Sequence, residues 1–167
     1  MKTTSCLEKI LDLFAQYYDI NTKTPAAPFS AEAEFHSQSE QYFLTKAAKI
    51  AQIDSAEYVF FAQMPLLTAE ILSELDKTAW ETGLSRVKIT SSHRNSDVTL
   101  VILAEKAEKD AVLRLKKLRH YKSYRFGLLG WSNYRAILLE KSTECVSSNR
   151  LGRDFAKIFR KKINSEE

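Results

Sequence analysis

Seven basic side chains lie between residues 114 and 125 with no acid among them: Arg114, Lys116, Lys117, Arg119, His120, Lys122 and Arg125. Tyr121 and Tyr124 interleave with them. Lys and Arg neutralise phosphates and aromatic rings stack on bases, so the mixture suits RNA or single-stranded DNA. The same residues also fit a helix C-terminus whose cations compensate the dipole, with tyrosine rings packed and hydroxyls wet. Directly after them comes Gly127-Leu-Leu-Gly130-Trp131. Glycines there permit positive φ and leave amides bare, which suits an anion-binding nest. They equally suit a tight bend with Trp131 plugging the core. The Gly-Lys-Ser/Thr of a phosphate loop is missing.

The other reactive residue types are scattered. Glu32, Glu34, Glu40 and Glu57 fall in the first half of the chain. A run of helix, three strands, helix and strand is the element order of the restriction-endonuclease-like nuclease core. Such enzymes place an acid on one strand and Asp/Glu-x-Lys on the next to hold Mg²⁺ and activate water. Here Asp54 and Glu57 precede an apolar strand, but no early strand carries Asp/Glu-x-Lys, and Glu32 and Glu34 read as the solvent face of a strand. His36, His93 and His120 are isolated, without the spacing of a metal site or a Ser–His pair. Cys6 and Cys145 form no framework, and a reduced cytoplasm is the expected compartment.

The elements that must position these residues follow from periodicity. Ser5-x-x-Glu8 is a capping box, and Leu7, Ile10, Leu11, Phe14 and Tyr18 share one face, so a helix is predicted over about 5–18. Phe29–Phe35 alternates as a half-buried strand. His36–Ser39 reads as a turn, and Tyr42 and Leu44 as the return of a hairpin. Ala56–Ala62 is a β-branched and aromatic strand, central in the sheet and closed by Pro65. Thr68 caps a helix to about Thr82, with Gly83 as its stop. Arg86–Thr90 is a further candidate strand, and Ser91–Asp97 a polar turn. Val98–Ala104 is nearly all apolar, as in a strand buried on both faces. A helix over about 107–121, with Val112, Leu115 and Leu118 inward, leads to an apolar strand at Ala136–Leu139. Strand, helix, strand over that length is a βαβ unit with parallel strands. The tail Gly152–Ile163 is amphipathic, with Phe155, Ile158 and Phe159 inward and Arg153, Lys157, Arg160 and Lys161 outward.

The expected fold is therefore a three-layer α/β or α+β domain, a mixed sheet flanked by helices that includes a C-terminal βαβ unit. One domain is expected over residues 1–167, with a short basic helical tail at 152–167. No run reaches the ~20 apolar residues of a membrane span, and the acidic, amphipathic N-terminus is not a signal peptide. Charge is uneven along the chain. Residues 1–86 hold 7 Lys+Arg against 12 Asp+Glu, whereas residues 87–167 hold 18 against 9. Either the halves neutralise each other across one surface, or the second half presents a basic face to an anionic partner.

Two segments carry a resemblance. Pro28–Lys46, with F-x-A-x-A-x-F-x-S-x-S-E-x-Y-F-L-x-K, and Leu118–Leu139, with L-R-x-Y-K-S-Y-R-F-G-L-x-G-W-x-x-Y-R-x-I-L-L, resemble the signatures of an uncharacterised family of small single-domain bacterial proteins. Asn149-Arg-x-Gly152 is similar to its closing turn. The resemblance implies a cytoplasmic protein and brings no established activity. It groups Ser39, Glu40, Tyr42, Lys46, Tyr121, Lys122, Arg125, Gly127, Gly130, Trp131 and Arg135, to which charge adds Arg119. On this reading Glu40 and Lys46 pair with Arg119, Lys122 or Arg125 beside Trp131. The expected function is a binding or accessory module with a basic and aromatic face, its partner nucleic acid or an acidic protein surface. The alternative is a nucleic-acid-binding protein or a Mg-dependent nuclease-like enzyme with a degenerate site; a third reading is a domain that docks on another protein through its aromatic surface. No cofactor and no metal site are expected.

Overall fold

The computed structural model describes residues 5–42 and 49–165. In chain order these form α1 (Cys6–Phe14), β1 (Asp19–Asn21), β2 (Ala31–Tyr42), β3 (Lys49–Leu67), α2 (Ala69–Arg86), β4 (His93–Ala107), α3 (Lys109–Lys117), β5 (Tyr121–Ser123), β6 (Trp131–Glu140), β7 (Cys145–Ser148) and α4 (Arg153–Asn164). One mixed sheet holds the strands in the order β1-β2-β3-β4-β6-β5, with β7 also on β6. β3, β4 and β6 run parallel, joined by α2 and α3, while β1, β2 and β3 form an antiparallel meander. β5 and β7 pair antiparallel with the start and the end of β6.

Side-chain alternation in the strands builds two cores, one on each face. Tyr58, Phe60, Leu100, Ile102, Tyr134 and Leu138 meet Leu72, Leu75 and Ala79 of α2 and Ala111 and Leu115 of α3. On the other face Val59, Phe61, Val101, Leu103, Ile137 and Leu139 meet Ile10, Leu11 and Phe14 of α1 and Ala156 and Phe159 of α4. The central strand segment Val98–Ala104 is buried on both faces, as its run of apolar residues, interrupted only by Thr99, leads one to expect. The mixed sheet, the three layers and the parallel β4-α3-β6 unit are as expected from the sequence.

Several boundaries differ. β2 runs without a turn through His36–Ser39 to Tyr42. β4 begins at His93 opposite Asp54, so the outer ends of β2 and β3 pair only with each other among the described residues. The polar residues His36–Ser39 look like a turn in the sequence, but their backbones continue the β2–β3 ladder. β3 passes through Pro65 to Leu67, at a level where β2 no longer lies beside it and the missing N–H costs nothing. α2 continues to Arg86 and leaves no strand at Arg86–Thr90. Gly83 lies inside that helix because a Cβ there would stand 2.5 Å from Val98 Cγ2. The segment Ser91–Asp97 is mostly the start of β4. α3 is shorter than expected, and Tyr121–Ser123 leaves it to become an edge strand. In α4, Ala156 takes the inward place expected of Ile158, which is exposed. Glu32 lies not on a solvent face but buried, its carboxylate gripped by both terminal nitrogens of Arg86 at 2.8 and 3.0 Å.

Candidate functional site

The edge of the sheet beyond β6 carries two short strands and a gap between them. β5 pairs with Trp131–Asn133 and β7 with Ile137–Glu140. Over the gap the ladder is completed by one side chain. Asn149 Oδ1 accepts from the amides of Ala136 and Gly152, each at 3.0 Å, and its Nδ2 donates to the carbonyls of Leu118 and Tyr134 at 3.0 and 3.1 Å. Asn149 thereby fixes three things together: the end of α3, the middle of β6 and the start of α4.

Two grooves open beside that anchoring point. One groove of about 370 Å³ is lined by Lys116, Lys117, Arg119, Tyr121, Asn149 and Arg150 among others. A second, of about 460 Å³, is lined by Lys116, Arg150, Arg153, Lys157 and Arg160 among others. They share Lys116 and Arg150, and no carboxylate lines either one. All seven cations are exposed. The elements explain why they converge. α3 ends in Lys116 and Lys117, the following link carries Arg119, and α4 points Arg153, Lys157 and Arg160 outward while Ala156 and Phe159 turn in. Arg160 donates at 2.6 Å to the Val146 carbonyl of β7, which fixes its guanidinium on the groove wall.

The loop after β5 is also closely held. Arg125, Phe126, Gly127 and Gly130 all have positive φ, at 46°, 54°, 85° and 83°. Gly130 has no alternative, because a Cβ there would stand 2.0 Å from the Arg94 carbonyl oxygen. His93, buried at the start of β4, holds the same loop. Its Nδ1 faces the Leu129 carbonyl at 2.6 Å and so must carry the proton, leaving Nε2 to the Ser96 hydroxyl at 2.7 Å. A serine, an imidazole and an orienting carbonyl in line also resemble an activated nucleophile. They border a cavity of about 300 Å³ between His36, Tyr58 and Lys88. Ser96 is buried within its strand, and the visible work of the relay is to dock the loop.

A third polar cluster lies on the α1/α4 face. Arg135 donates to Glu57 Oε1 at 3.3 Å and to Asp97 Oδ2 at 3.0 Å, with its guanidinium 5.0 Å from the ring centre of Phe155. The Tyr18 hydroxyl donates to the other oxygen of Glu57, and burial together with that carboxylate pushes the phenol's pKa well up. Asp97 also accepts from the Asn133 amide at 3.3 Å. Both acids share one arginine, which makes the cluster a clamp across β3, β4 and β6. Among the described residues, no group of three His, Cys, Asp or Glu side chains gathers to hold a metal.

Of the residues grouped from sequence, Arg119 and Tyr121 line the basic groove. Lys122 and Arg125 are exposed beside it, Lys122 Nζ lying 5.5 Å from the ring centre of Tyr124. Trp131 is half-buried with Arg94 at 5.9 Å and belongs to neither core, so it does not act as a plug. Arg135 turns to the clamp on the other face. Glu40 and Tyr42 lie on the outer ribbon, where their backbones pair with Gln52 and Lys49. Lys46 lies outside the described residues. β2 and β5 stand four strand spacings apart, about 19 Å, so the two signature segments do not share an edge. Sequence reasoning placed the α4 cations on a solvated tail. Their spacing of 153, 157 and 160 is the signal of one helical face, but only the fold shows which neighbours that face has.

A family model matches residues 2–161. The chain belongs to the DUF8052 family, a domain of unknown function. The match takes in every element of the fold up to Lys161 in the last turn of α4, and both the Asn149 junction and the groove-lining cations of this DUF8052 domain lie inside it. No curated protein and no solved structure matches the chain.

Proposed function

We propose that this DUF8052 domain is a binding module for a polyanionic chain, with nucleic acid as its partner and the β5–β7 edge as its contact surface. The observation that carries the reading is the composition of the two joined grooves: seven exposed cations and no acid in the lining. A solvated helix face ordinarily interleaves charges of both signs. Here cations from α3, from the α3–β5 link and from α4 converge on one channel instead. Close cations repel each other, and a phosphate backbone relieves that repulsion and releases its own counterions. The grooves follow a sheet edge, so the surface is elongated, as a polymer requires, rather than a closed pocket for a small anion.

The test is fluorescence anisotropy of a labelled oligonucleotide titrated with protein over a series of salt concentrations. Binding that weakens steeply with salt is expected. Changing Arg150, Arg153 and Lys157 together to Ser should lower the slope of log K against log salt by about 2, near 0.7 for each lost single-strand phosphate contact. No binding at low salt would reject the reading.

A further inference from the structure

The loop between β5 and β6 presents two apolar side chains where the surface is otherwise basic. Phe126 is fully exposed and Leu128 is 83% exposed. Single exposed apolar residues are ordinary. These two differ in that they sit on a backbone held rigid around them. The Leu129 amide donates to the Tyr124 carbonyl, that of Leu128 to Arg125, and that of Gly130 to Gly127, at 3.0 to 3.2 Å. Below, the tip is pinned to β4 by His93 and by the close approach of Gly130 to Arg94. Two non-glycine residues, Arg125 and Phe126, hold left-handed torsions there. Such torsions persist only where the surrounding structure fixes them, and they cluster at functional sites. A side chain carried on a fixed backbone has already lost the backbone freedom that binding would otherwise take from it.

What the tip meets is constrained by charge and by position. No acid occurs from residue 111 to residue 139, a stretch that includes the whole of β5 and the loop. Tyr121 lines the basic groove, and Ser123, two residues along the same strand, pairs with Trp131 at the base of the loop. The tip therefore continues the line of the groove. Tyr121 and Phe126 are both exposed rings beside exposed cations. Rings interleaved with phosphate-binding cations form a stacking surface for unpaired bases. In a duplex those bases are paired and stacked, and unstacking them costs free energy, so a single strand fits best.

We infer that Phe126 and Leu128 form a base-stacking tip for single-stranded nucleic acid whose backbone lies in the basic groove. The inference rests on the polyanion reading above and specifies its substrate as an unpaired strand.

The experiment compares two polymers of the same charge sign, labelled oligothymidine and labelled inorganic polyphosphate, which has no bases. The proteins are the wild type, a tip variant with Phe126→Asn and Leu128→Ser, and the groove variant with Arg150, Arg153 and Lys157 changed to Ser. Asn tolerates the left-handed torsion at 126, and neither tip side chain is part of a core. The tip variant should bind oligothymidine about ten-fold more weakly, since one base stack is worth that much, with an unchanged salt slope and unchanged polyphosphate binding. The groove variant should lose affinity for both polymers. Oligothymidine binding by the tip variant equal to wild type would overturn the tip while leaving the groove reading in place. Equal weakening on both polymers would also overturn it. Wild type binding neither polymer would overturn the groove reading first, and the tip with it. Sedimentation with phosphatidylserine vesicles that the tip variant loses, while its oligothymidine binding stays intact, would assign the tip to a lipid surface and overturn the inference.

Discussion

Asn149 satisfies four buried backbone groups with one amide, and no other residue type offers two acceptor lone pairs and two donors in that shape. Asn149→Leu should leave those groups unpaired and cost about 2–4 kcal/mol, read as a lower urea midpoint with little change in slope. Glu32 is a second buried group with an assigned partner. Burial alone would raise its pKa, but the Arg86 guanidinium and the Ala26 amide outweigh it and hold the carboxyl below its ordinary value. A depressed folded-state pKa stabilises the protein above the unfolded value, and that contribution is lost as pH falls through the folded one. Stability should therefore decline on acidification below about pH 4.5, and Glu32→Gln should flatten that part of the profile, as measured by urea unfolding across pH. Nothing in the sequence near Glu32 signals its burial. The partner is 54 residues away, and an acid alternating with alanines reads as a solvent face until α2 is seen to end over it.

At the scale of elements, length and burial decided what could be read. Val98–Ala104 is legible because both of its faces are buried and every residue but Thr99 is apolar. β1, β5 and β7 are only three or four residues long at the sheet's edges, too short for an alternating pattern to show even where Ile20 and Val146 turn inward. Gly83 shows how one residue type can mislead: it resembles a helix stop but is there to let α2 approach Val98. The Gly127–Gly130 bend was visible in the sequence through its glycines, whereas its attachment to His93 and Arg94 was not, because both partners lie on another strand. Gly130→Ala would set a Cβ against the Arg94 carbonyl and add strain at a positive φ. It should detach the loop from β4, and amide hydrogen exchange over residues 124–130 should rise by ten-fold or more while exchange in α2 and β4 stays unchanged.

Across the whole molecule, the uneven charge of the two chain halves becomes a feature of surface. The halves share one sheet, yet seven of the second half's 18 Lys and Arg line the grooves along its far edge, where α3, β7 and α4 meet. A multivalent anion that enters that edge binds the folded state alone and must raise its stability. Sulfate or phosphate at constant ionic strength should therefore raise Tm relative to chloride, by a few degrees, in differential scanning calorimetry. The same substitution of anions should leave the Arg150/Arg153/Lys157 variant nearly unmoved. An equal rise in both proteins would trace the effect to general anion exclusion and not to the groove.

The first helix and the last share one core. Phe14 packs edge-on against Phe155 and Phe159, and Ile10 and Leu11 belong to the same cluster. During synthesis, α1 can close on Phe61 of β3, but the part of its apolar face that meets Phe155 and Phe159 waits for residues made some 140 positions later. The nascent chain therefore carries a partly uncovered hydrophobic helix until α4 has been made, a surface for chaperones to recognise. A chain ended at Leu151, just short of α4, should keep that face uncovered and bind a hydrophobic dye that the full-length protein does not.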